Sequence, residues 1–228
     1  FYFPYFSFPL GPNRKTGLLY PSFSYNSNNG TTASLPYYLN LAPNYDDTIT
    51  PTYYEKNGLM AYNQFRFLST KASLENNIYY MPIDSQTHTE RYFGDIKINS
   101  NFTNKLSGDI LYQDVSDQNY FSDFDSSTPE NANRVLLDRH AKLNYHSTHW
   151  NATAFVSNYK TVNNELDTDN KPYDSIPSIA VNYDTISTIN GLDFNINNNL
   201  TNFYKNTQNK GFRAYSTPDI SWELDKNE

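Results

Sequence analysis

The amino-acid sequence predicts an all-β fold: part of an antiparallel, up-and-down β-barrel that spans a membrane. Three observations lead to this prediction. Apolar and polar residues alternate over segments of about ten residues, the segments follow one another as hairpins, and the connections are short at one end of the hairpins and longer at the other. Alternation with a period of two is typical of strands, and these segments exceed the average soluble strand of about five or six residues.

The composition agrees with a membrane barrel and argues against several other classes of protein. The chain has 21 Tyr and 15 Phe, residue types that favour strands and the boundary between apolar and wet surroundings. Its net charge is −7 and its Lys and Arg residues are scattered, so we expect no nucleic-acid partner. The sequence has no run of 18 apolar residues, but a spanning strand needs only about 9–11 residues.

The alternation is clear in the segment 58–68. Its odd positions from Leu59 to Phe67 are mostly apolar, whereas Tyr62, Gln64 and Arg66 face the other way. About a dozen such segments follow one another, and we expect 11 or 12 strands. None of the segments has an apolar stripe at helical spacing.

Turn residues separate the segments, and the connections fall into two groups. Short connections are predicted around 42–44, 70–72, 101–105 and 147–149, and longer ones at 82–89, 114–133 and 161–174. Two early connections on the longer side, 26–30 and 55–58, are also short, so the difference is a tendency. Short turns at one rim and long loops at the other are typical of outer-membrane barrels.

Prolines interrupt the first two predicted strands. Pro21 and Pro36 lie at mid-strand and fifteen residues apart, where a proline removes a ladder hydrogen bond. Each proline alone is better explained as one tolerated at a strand edge or a bulge, whereas the matched pair in the first two strands favours a seam that can part. For Pro51, in the third strand, we expect a bulge or a bend at the strand end.

Two stretches carry a family resemblance, PYFSFPLGPNRKTGLLYPSFSYNSNNG and LPYYLNLAPNYDDTITPTYYEKNGLMAYNQFRFLS. They resemble the start of the barrel in the LptD family of lipopolysaccharide-assembly outer-membrane proteins. DVSDQNYFSDFDSS is similar to a long-loop motif of that family, and SIPSIAVNYD and STPDISWEL are similar to later strands. The resemblance implies a 26-stranded barrel preceded by a periplasmic β-jelly roll. Residues 1–16 would then end the jelly-roll domain and its linker, and residues 17–228 would form the N-terminal part of the barrel.

The resemblance also implies a function. Members of the family insert lipopolysaccharide into the outer leaflet of the outer membrane of Gram-negative bacteria, and the implied exit is a lateral gate beside the first barrel strand. The candidate residues of the gate and the lipopolysaccharide path are Pro21, Pro36, Tyr20, Ser22 and Tyr38. The implied partners are lipopolysaccharide, an LptE-type lipoprotein plug inside the barrel and an LptA-type periplasmic bridge protein.

Two alternative functions remain open from the residues alone. One is a passive outer-membrane porin, although a porin closes its seam with full pairing. The other is a soluble carbohydrate-binding β-sandwich, although its strands would be shorter. The chain opens inside an apolar run without an initiator Met, and we expect it to be an internal segment of a longer protein.

No catalytic constellation is visible, so we expect no enzyme, no cofactor and no metal. His146 and His149 form an HxxH pair, but they lie in a short turn without a nearby carboxylate.

Acidic residues in two connections have open alternatives. Asp114, Asp117, Asp123 and Asp125 are expected to form a solvated acidic loop, with a Ca²⁺ site as the alternative. A further group is expected to cap a short turn or to face polar sugar cores; it comprises Asn44, Asp46 and Asp47.

Overall fold

The computed structural model describes residues 14–124, 136–162, 171–185, 192–206 and 209–222. These residues form fourteen strand segments and one short helix. The segments are β1 Gly17–Leu18, β2 Ser22–Asn26, β3 Gly30–Ser34, β4 Tyr37–Ala42, β5 Tyr45–Tyr54, β6 Gly58–Leu68, β7 Ala72–Met81, β8 Arg91–Asn101, β9 Leu106–Val115, β10 Leu136–His146, β11 Trp150–Thr161, β12 Asp174–Asp184, β13 Leu192–Tyr204 and β14 Gly211–Trp222, with α1 Tyr120–Phe124 between β9 and β10.

The strand segments form one antiparallel sheet. From β4 to β14 each segment pairs with the next one along the chain, β1 pairs with β4, and β3 pairs with both β2 and β5. β1–β2 and β3–β4 are therefore two strands, each interrupted once, and the sheet contains twelve strands. This confirms the all-β, up-and-down architecture and the strand number expected from the sequence, as in part of a barrel.

The connections lie where the turn residues predicted them, within about two residues. At one end, called here the short-turn end, 43–44, 69–71, 102–105 and 147–149 have two to four residues. At the other, the long-loop end, 27–29 and 55–57 have three residues, 82–90 has nine, and 116–135 and 162–173 are longer. The last two connections, 185–191 and 205–210, are similar in length, so the difference is confined to the earlier strands.

The two faces of the sheet differ in the way that the alternation predicts. On β6, Leu59 is 57% exposed, whereas its neighbour Met60 is 2% exposed. Ile78 and Tyr80 on β7 belong to the same exposed apolar face. On the opposite face, Tyr62 donates a hydrogen bond to Asn77 Oδ1 at 2.8 Å. A sheet with its apolar side chains outward and hydrogen-bonded polar groups on the other face is adapted to an apolar surrounding.

The chain divides into two compact units. Within the described residues, the first unit contains 14–98, 112–124, 136–137 and 161–162. Its buried cluster brings two side chains of α1 against strand residues; the members are Met60, Met81, Phe93, Val115, Tyr120, Phe121, Leu137 and Val162. The rings of Phe93 and Phe121 pack edge to face, with centroids 5.1 Å apart.

The helix α1 departs from the expectation of an all-strand chain without helices. It has only five residues, too few to show an apolar stripe, and isolated helices of this length are unstable. Burial of Tyr120 and Phe121 in the first unit stabilises it, and the N–H of Asn119, just before the helix, donates to Asp117 Oδ1 at 2.9 Å. The described residues include no helix that is long and apolar enough to cross a membrane.

The second unit contains 99–111, 138–160, 171–185, 192–206 and 209–222 of the described residues. β13 and β14 pair without a break from Leu192↔Trp222 to Phe203↔Gly211. Aromatic rings join neighbouring strands: the Tyr183 ring lies 4.8 Å from that of Trp150. Every residue of β14 is exposed, as expected for a strand at the end of a sheet.

We predict that two adjacent side chains of β6 differ sharply in their effect on stability. Met60→Ala should lower the unfolding free energy by about 2–5 kcal/mol because it leaves a cavity in the buried cluster, whereas Leu59→Ala should cost much less. Denaturant unfolding of the full-length protein in detergent would measure both. Equal losses would contradict the assignment of the two residues to different faces.

Candidate functional site

Pro21 and Pro36 lie side by side at the interruptions of the first two strands. Ser22 is opposite Ser34 on one side of the break, and Leu18 is opposite Tyr37 on the other. Residues 19–21 therefore face only residues 35–36, an arrangement with one extra residue on the first strand. Both prolines thus stand where the pairing is irregular, as their missing N–H groups require.

At the height of the prolines, two pairs of opposed residues each make one backbone hydrogen bond instead of two. Leu19 N–H donates to the Pro36 carbonyl at 2.9 Å, and Leu35 N–H donates to the Pro51 carbonyl at 3.2 Å. In an antiparallel ladder such residues exchange two bonds, but neither proline has an N–H with which to return one. We call Pro21, Pro36 and Pro51 the proline line, because they lie at one level of three neighbouring strands.

The expectation for Pro51 is wrong. Pro51 lies inside β5 rather than at a bulge or strand end, and its pairing with Ala61 belongs to an unbroken register from Tyr45↔Phe67 to Tyr54↔Gly58. The reason is directional: its carbonyl accepts from Leu35, so its ring nitrogen faces β3–β4 as well. The ladder on the β6 side therefore needs no donor from Pro51.

The register between β3–β4 and β5 continues through the break. Ser34 pairs with Thr52, and Tyr37 pairs with Ile49. A step of three residues on one strand thus matches a step of three on the other, so no residue is inserted on this side. The interruption removes hydrogen bonds here without shifting the alignment.

The other three residues predicted for the site have separate positions. Tyr20 lies in the break itself and is 73% exposed. Ser22 begins β2, and its hydroxyl lies 2.6 Å from that of Ser34. Tyr38 is on β4, and its hydroxyl donates to Asp46 Oδ2 at 3.0 Å. Tyr20 and Ser22 thus adjoin the proline line, whereas Tyr38 belongs to a polar cluster nearer the short-turn end.

Asp46 is the centre of that polar cluster. Its side chain is 3% exposed and pairs with Arg14 Nη1 at 2.8 Å and with Arg66 Nε at 2.9 Å. Arg14 also donates to the Pro43 carbonyl at 2.6 Å. Asp46 therefore anchors the residues that enter β1 to the short-turn end of β5 and β6.

The expectation that Asp46 and Asp47 cap a turn is therefore corrected. Both are strand residues of β5, and Asp47 Oδ1 accepts from Asn63 Nδ2 at 2.6 Å. Asn44 alone lies in the turn, where its carbonyl accepts the N–H of Leu68 at 2.8 Å. The ionic partners are distant in sequence, and turn statistics could not have shown them.

At the long-loop end, the turn between β2 and β3 depends on a glycine. Gly30 has φ of +73°, a conformation that costs most other residues about 1–2 kcal/mol. A Cβ at this position would lie 2.7 Å from Glu55 Oε2. The Glu55 carboxylate instead accepts the N–H of Thr31 at 2.7 Å, and this bond lowers the pKa of Glu55 below its ordinary value of 4.5.

A buried arginine organises the acidic loop. Arg91 is 2% exposed, and its guanidinium contacts Asp84 at 3.0 Å, Asp117 at 2.6 Å and Asp123 at 2.9 Å. It also lies over the Phe124 ring, 4.9 Å from the centroid. Five donors in a rigid plane allow one Arg to hold several carboxylates, which a Lys could not do.

Two of the acidic residues combine partial exposure with ion pairing: the side chains of Asp117 and Asp123 are 35% and 33% exposed. Asp117 and Asp123 pair with Arg91, and Asp114 bonds the N–H of Val115 at 2.9 Å; Asp125 lies outside the described residues. Nothing in the sequence next to Arg91 predicted that it is buried and paired with several carboxylates. The excess of carboxylates in the following loop was the one available hint of a buried cation.

The HxxH histidines have separate partners. His146 Nδ1 bonds Asn151 Oδ1, and His149 Nδ1 lies 3.0 Å from the Asp184 carbonyl. No group of three or more metal-ligating side chains suited to an ion is found in the part of the chain that the structure describes.

Comparison with known proteins assigns the chain to a protein family. The family model of LptD, described as "LPS transport system D", matches residues 89–228, which is more than half of the chain. The chain belongs to the LptD family. This confirms the family resemblance. The first strands lie outside the matched range, but individual LptD relatives cover them.

Individual LptD proteins are similar along nearly the whole chain. The LPS-assembly protein LptD of Idiomarina loihiensis is 32% identical over 99% of this chain. The proteins of the same name from Shewanella frigidimarina and Vibrio cholerae are each 33% identical, over 98% and 92% of it. The matched part is 30%, 29% and 27% of those three relatives. The chain thus spans less than a third of the length of these LptD proteins.

We predict that acid weakens the turn between β2 and β3. Because the pKa of Glu55 is lowered in the folded state, its contribution is complete above the ordinary value of 4.5 and is lost as the pH falls through the lowered pKa. Exchange of the Thr31 amide should therefore be slower in the wild type than in Glu55→Gln at neutral pH. The two rates should converge in acid. A constant ratio at all pH values would contradict this role.

Proposed function

We propose that this chain is part of an outer-membrane protein that transports and assembles lipopolysaccharide. Its membership of the LptD family supports this proposal, because the similar proteins are named LPS-assembly proteins. The exposed apolar face of the sheet supports a position in the outer membrane of a Gram-negative bacterium. The bilayer would cover Leu59, Ile78 and Tyr80, which are exposed here.

The exit route is a lateral gate beside the first strand. The proline line is the observation that carries this part of the proposal: Pro36 and Pro51 each leave one bond unreturned, and Pro21 lies in the break. In a bilayer each unmade backbone hydrogen bond is costly, so a fully paired seam would resist opening. Because the pairing of the first strand with the second is already interrupted, the first strand can bend away from the seam with fewer bonds broken.

The described contacts suggest how the gate divides the substrate. Tyr20 and Pro21 lie in the interruption of the first strand, beside which a lipid anchor would pass into the bilayer. The opposite face of the sheet carries hydrogen-bonded polar groups such as Tyr62 and Asn77, against which sugars could move. Lipopolysaccharide would thus keep its acyl chains in lipid and its saccharide on a polar surface. No chemical step on the substrate is needed.

The remaining parts of the proposal concern segments and partners. Residues 1–16 would end a periplasmic jelly-roll domain; of these, 1–13 lie outside the described residues. The barrel would begin at residue 17. The Arg14–Asp46 contact of 2.8 Å would fix this junction. An LptE-type lipoprotein would plug the barrel, and an LptA-type bridge protein would deliver lipopolysaccharide to the jelly roll. A passive porin is a weaker candidate because it gains nothing from the proline line.

We predict that restoring the missing donors reduces export. Pro21→Ala combined with Pro36→Ala adds two N–H groups at the interruption, so the first strands should pair more fully and lipopolysaccharide should reach the cell surface more slowly. Pro218→Ala in β14 is the matched control, because it also removes a proline opposite a strand partner, Ile196. Export equal to wild type in the double variant would count against the gate.

We also predict that a covalent seam stops export in the full-length protein. A cysteine replacing Ser24 in β2, paired with one placed opposite it in the last barrel strand, should block surface lipopolysaccharide once oxidised. Reduction should restore it, and the folded barrel should keep its electrophoretic mobility throughout. Unimpaired export through a fully oxidised seam would rule out passage between these strands.

A further inference from the structure

The turn between β2 and β3, residues 27–29, is held by side chains from other connections. We call this turn the tip. Lys56 Nζ donates to the Ser27 carbonyl at 2.7 Å, and Gln86 Nε2 donates to the Asn28 carbonyl at 3.3 Å. Both donors come from the next two connections at the long-loop end. The tip is thus fixed from outside, although β2 itself is exposed along its whole length.

Asn29 makes the contact that reaches furthest. Its side chain is buried, with 2% of the residue exposed, and its Nδ2 donates to the Asp123 carbonyl at 2.6 Å. The N–H of Asn29 is held by Asn26 Oδ1 at 2.7 Å, which orients the side chain toward α1. A buried amide whose partner is removed costs more than the bond is worth, so this contact depends on the position of Asp123.

Arg91 determines that position. Its guanidinium bonds Asp123 Oδ2 at 2.9 Å and is held in place by Asp84 and Asp117. The Phe124 ring below the guanidinium adds a second contact to the same helix. Arg91 does not touch the tip, yet it fixes the residue whose carbonyl receives Asn29.

We propose that Arg91 is a positioning residue for the gate, acting as a latch on the tip through Asp123 and Asn29. This inference rests on the proposed function, because the latch restrains the first strands, which the gate would move. The proline line weakens the middle of this strand pair, and the Asp46 cluster anchors its short-turn end. The latch closes the remaining end together with Lys56 and Gln86, so that β2 and β3 gain freedom to move when the contact between Asn29 and α1 is released.

The surroundings of the latch allow such a release. A polar cavity of about 410 Å³ lies beside it, lined by Asn29, Lys56, Gln86, Arg91 and Asp123 among others. Water in a cavity lined by these groups can replace the tip as a hydrogen-bond partner. The latch can therefore open without leaving buried polar groups unpaired, unlike a contact in a dry core.

Hydrogen exchange in the assembled full-length protein tests the latch without any export assay. Asn29→Ala removes the donor and leaves every ion pair of Arg91 in place, so amides of residues 22–34 should exchange about three- to ten-fold faster. Asn28→Ala is the matched control. It keeps the carbonyl that receives Gln86 and removes only a 3.5 Å contact with the neighbouring Ser27 hydroxyl inside the tip, so exchange should stay close to that of the wild type. Amides of β6 should not change in either variant.

A second variant tests the role of Arg91. Arg91→Lys keeps the charge but cannot hold three carboxylates, and it should accelerate exchange of residues 22–34 to a similar extent. If Arg91 acts through Asn29, the double variant Asn29→Ala/Arg91→Lys should exchange no faster than the more affected single variant. Additive effects, or unchanged exchange in Asn29→Ala, would overturn the latch. The result is independent of the gate, because only the seam and proline variants measure export.

Discussion

Backbone hydrogen bonding at the level of Pro21, Pro36 and Pro51 is the constraint on which the behaviour of the first strands depends. A sheet in lipid is rigid because opposed residues of neighbouring strands both donate and accept a backbone hydrogen bond. Here three neighbouring strands carry a residue without an N–H at the same height, and the first of them is split into segments of two and five residues. Strands β5 to β14 each run on for 10 to 13 residues. Pairing is also irregular around Pro177 in β12, but among the described strands only the first two are split into separate segments.

The two ends of this weakened region are held by the same type of interaction. Near the short-turn end Arg14 and Arg66 converge on one buried carboxylate, and at the long-loop end one buried guanidinium holds three carboxylates. Loss of Arg91 would leave the fully buried carboxylate of Asp84 without its cation. The clusters therefore fix where the strand pair begins and ends, while the residues between them are held by fewer bonds.

Local patterns in the sequence predicted the strands because the alternation of apolar and polar residues and the turn residues are local signals. The alternation of segment 58–68 and the turn residues after Ala42 fixed the faces and the hairpin positions to within about two residues. The interruption at Pro21 and Pro36 followed from the chemistry of proline alone. The family followed from the same first strands.

The sequence did not predict the parts that depend on distant contacts. Arg91 meets Asp123 across 32 residues and Asn29 meets it across 94, and no periodicity reports such distances. The helix α1 is too short for a pattern and exists because Phe121 is buried among strand residues. The prediction for Pro51 was wrong because it depends on which neighbouring strand the ring nitrogen faces, and the sequence does not show this.

The alignment of β3–β4 with β5 is the same on both sides of the break at Pro36 and shifts by one residue only further on, between Leu39 and Ala42. Its continuity at the break has a consequence for reversibility. A strand that slips by one residue turns every side chain to the wrong face, because the pleat repeats every two residues. Since Ser34 and Tyr37 keep the same offset to β5 on either side of the break, the separated segments have only one alignment in which to rejoin. The chain can thus lose hydrogen bonds at this level repeatedly and still recover the same pairing each time.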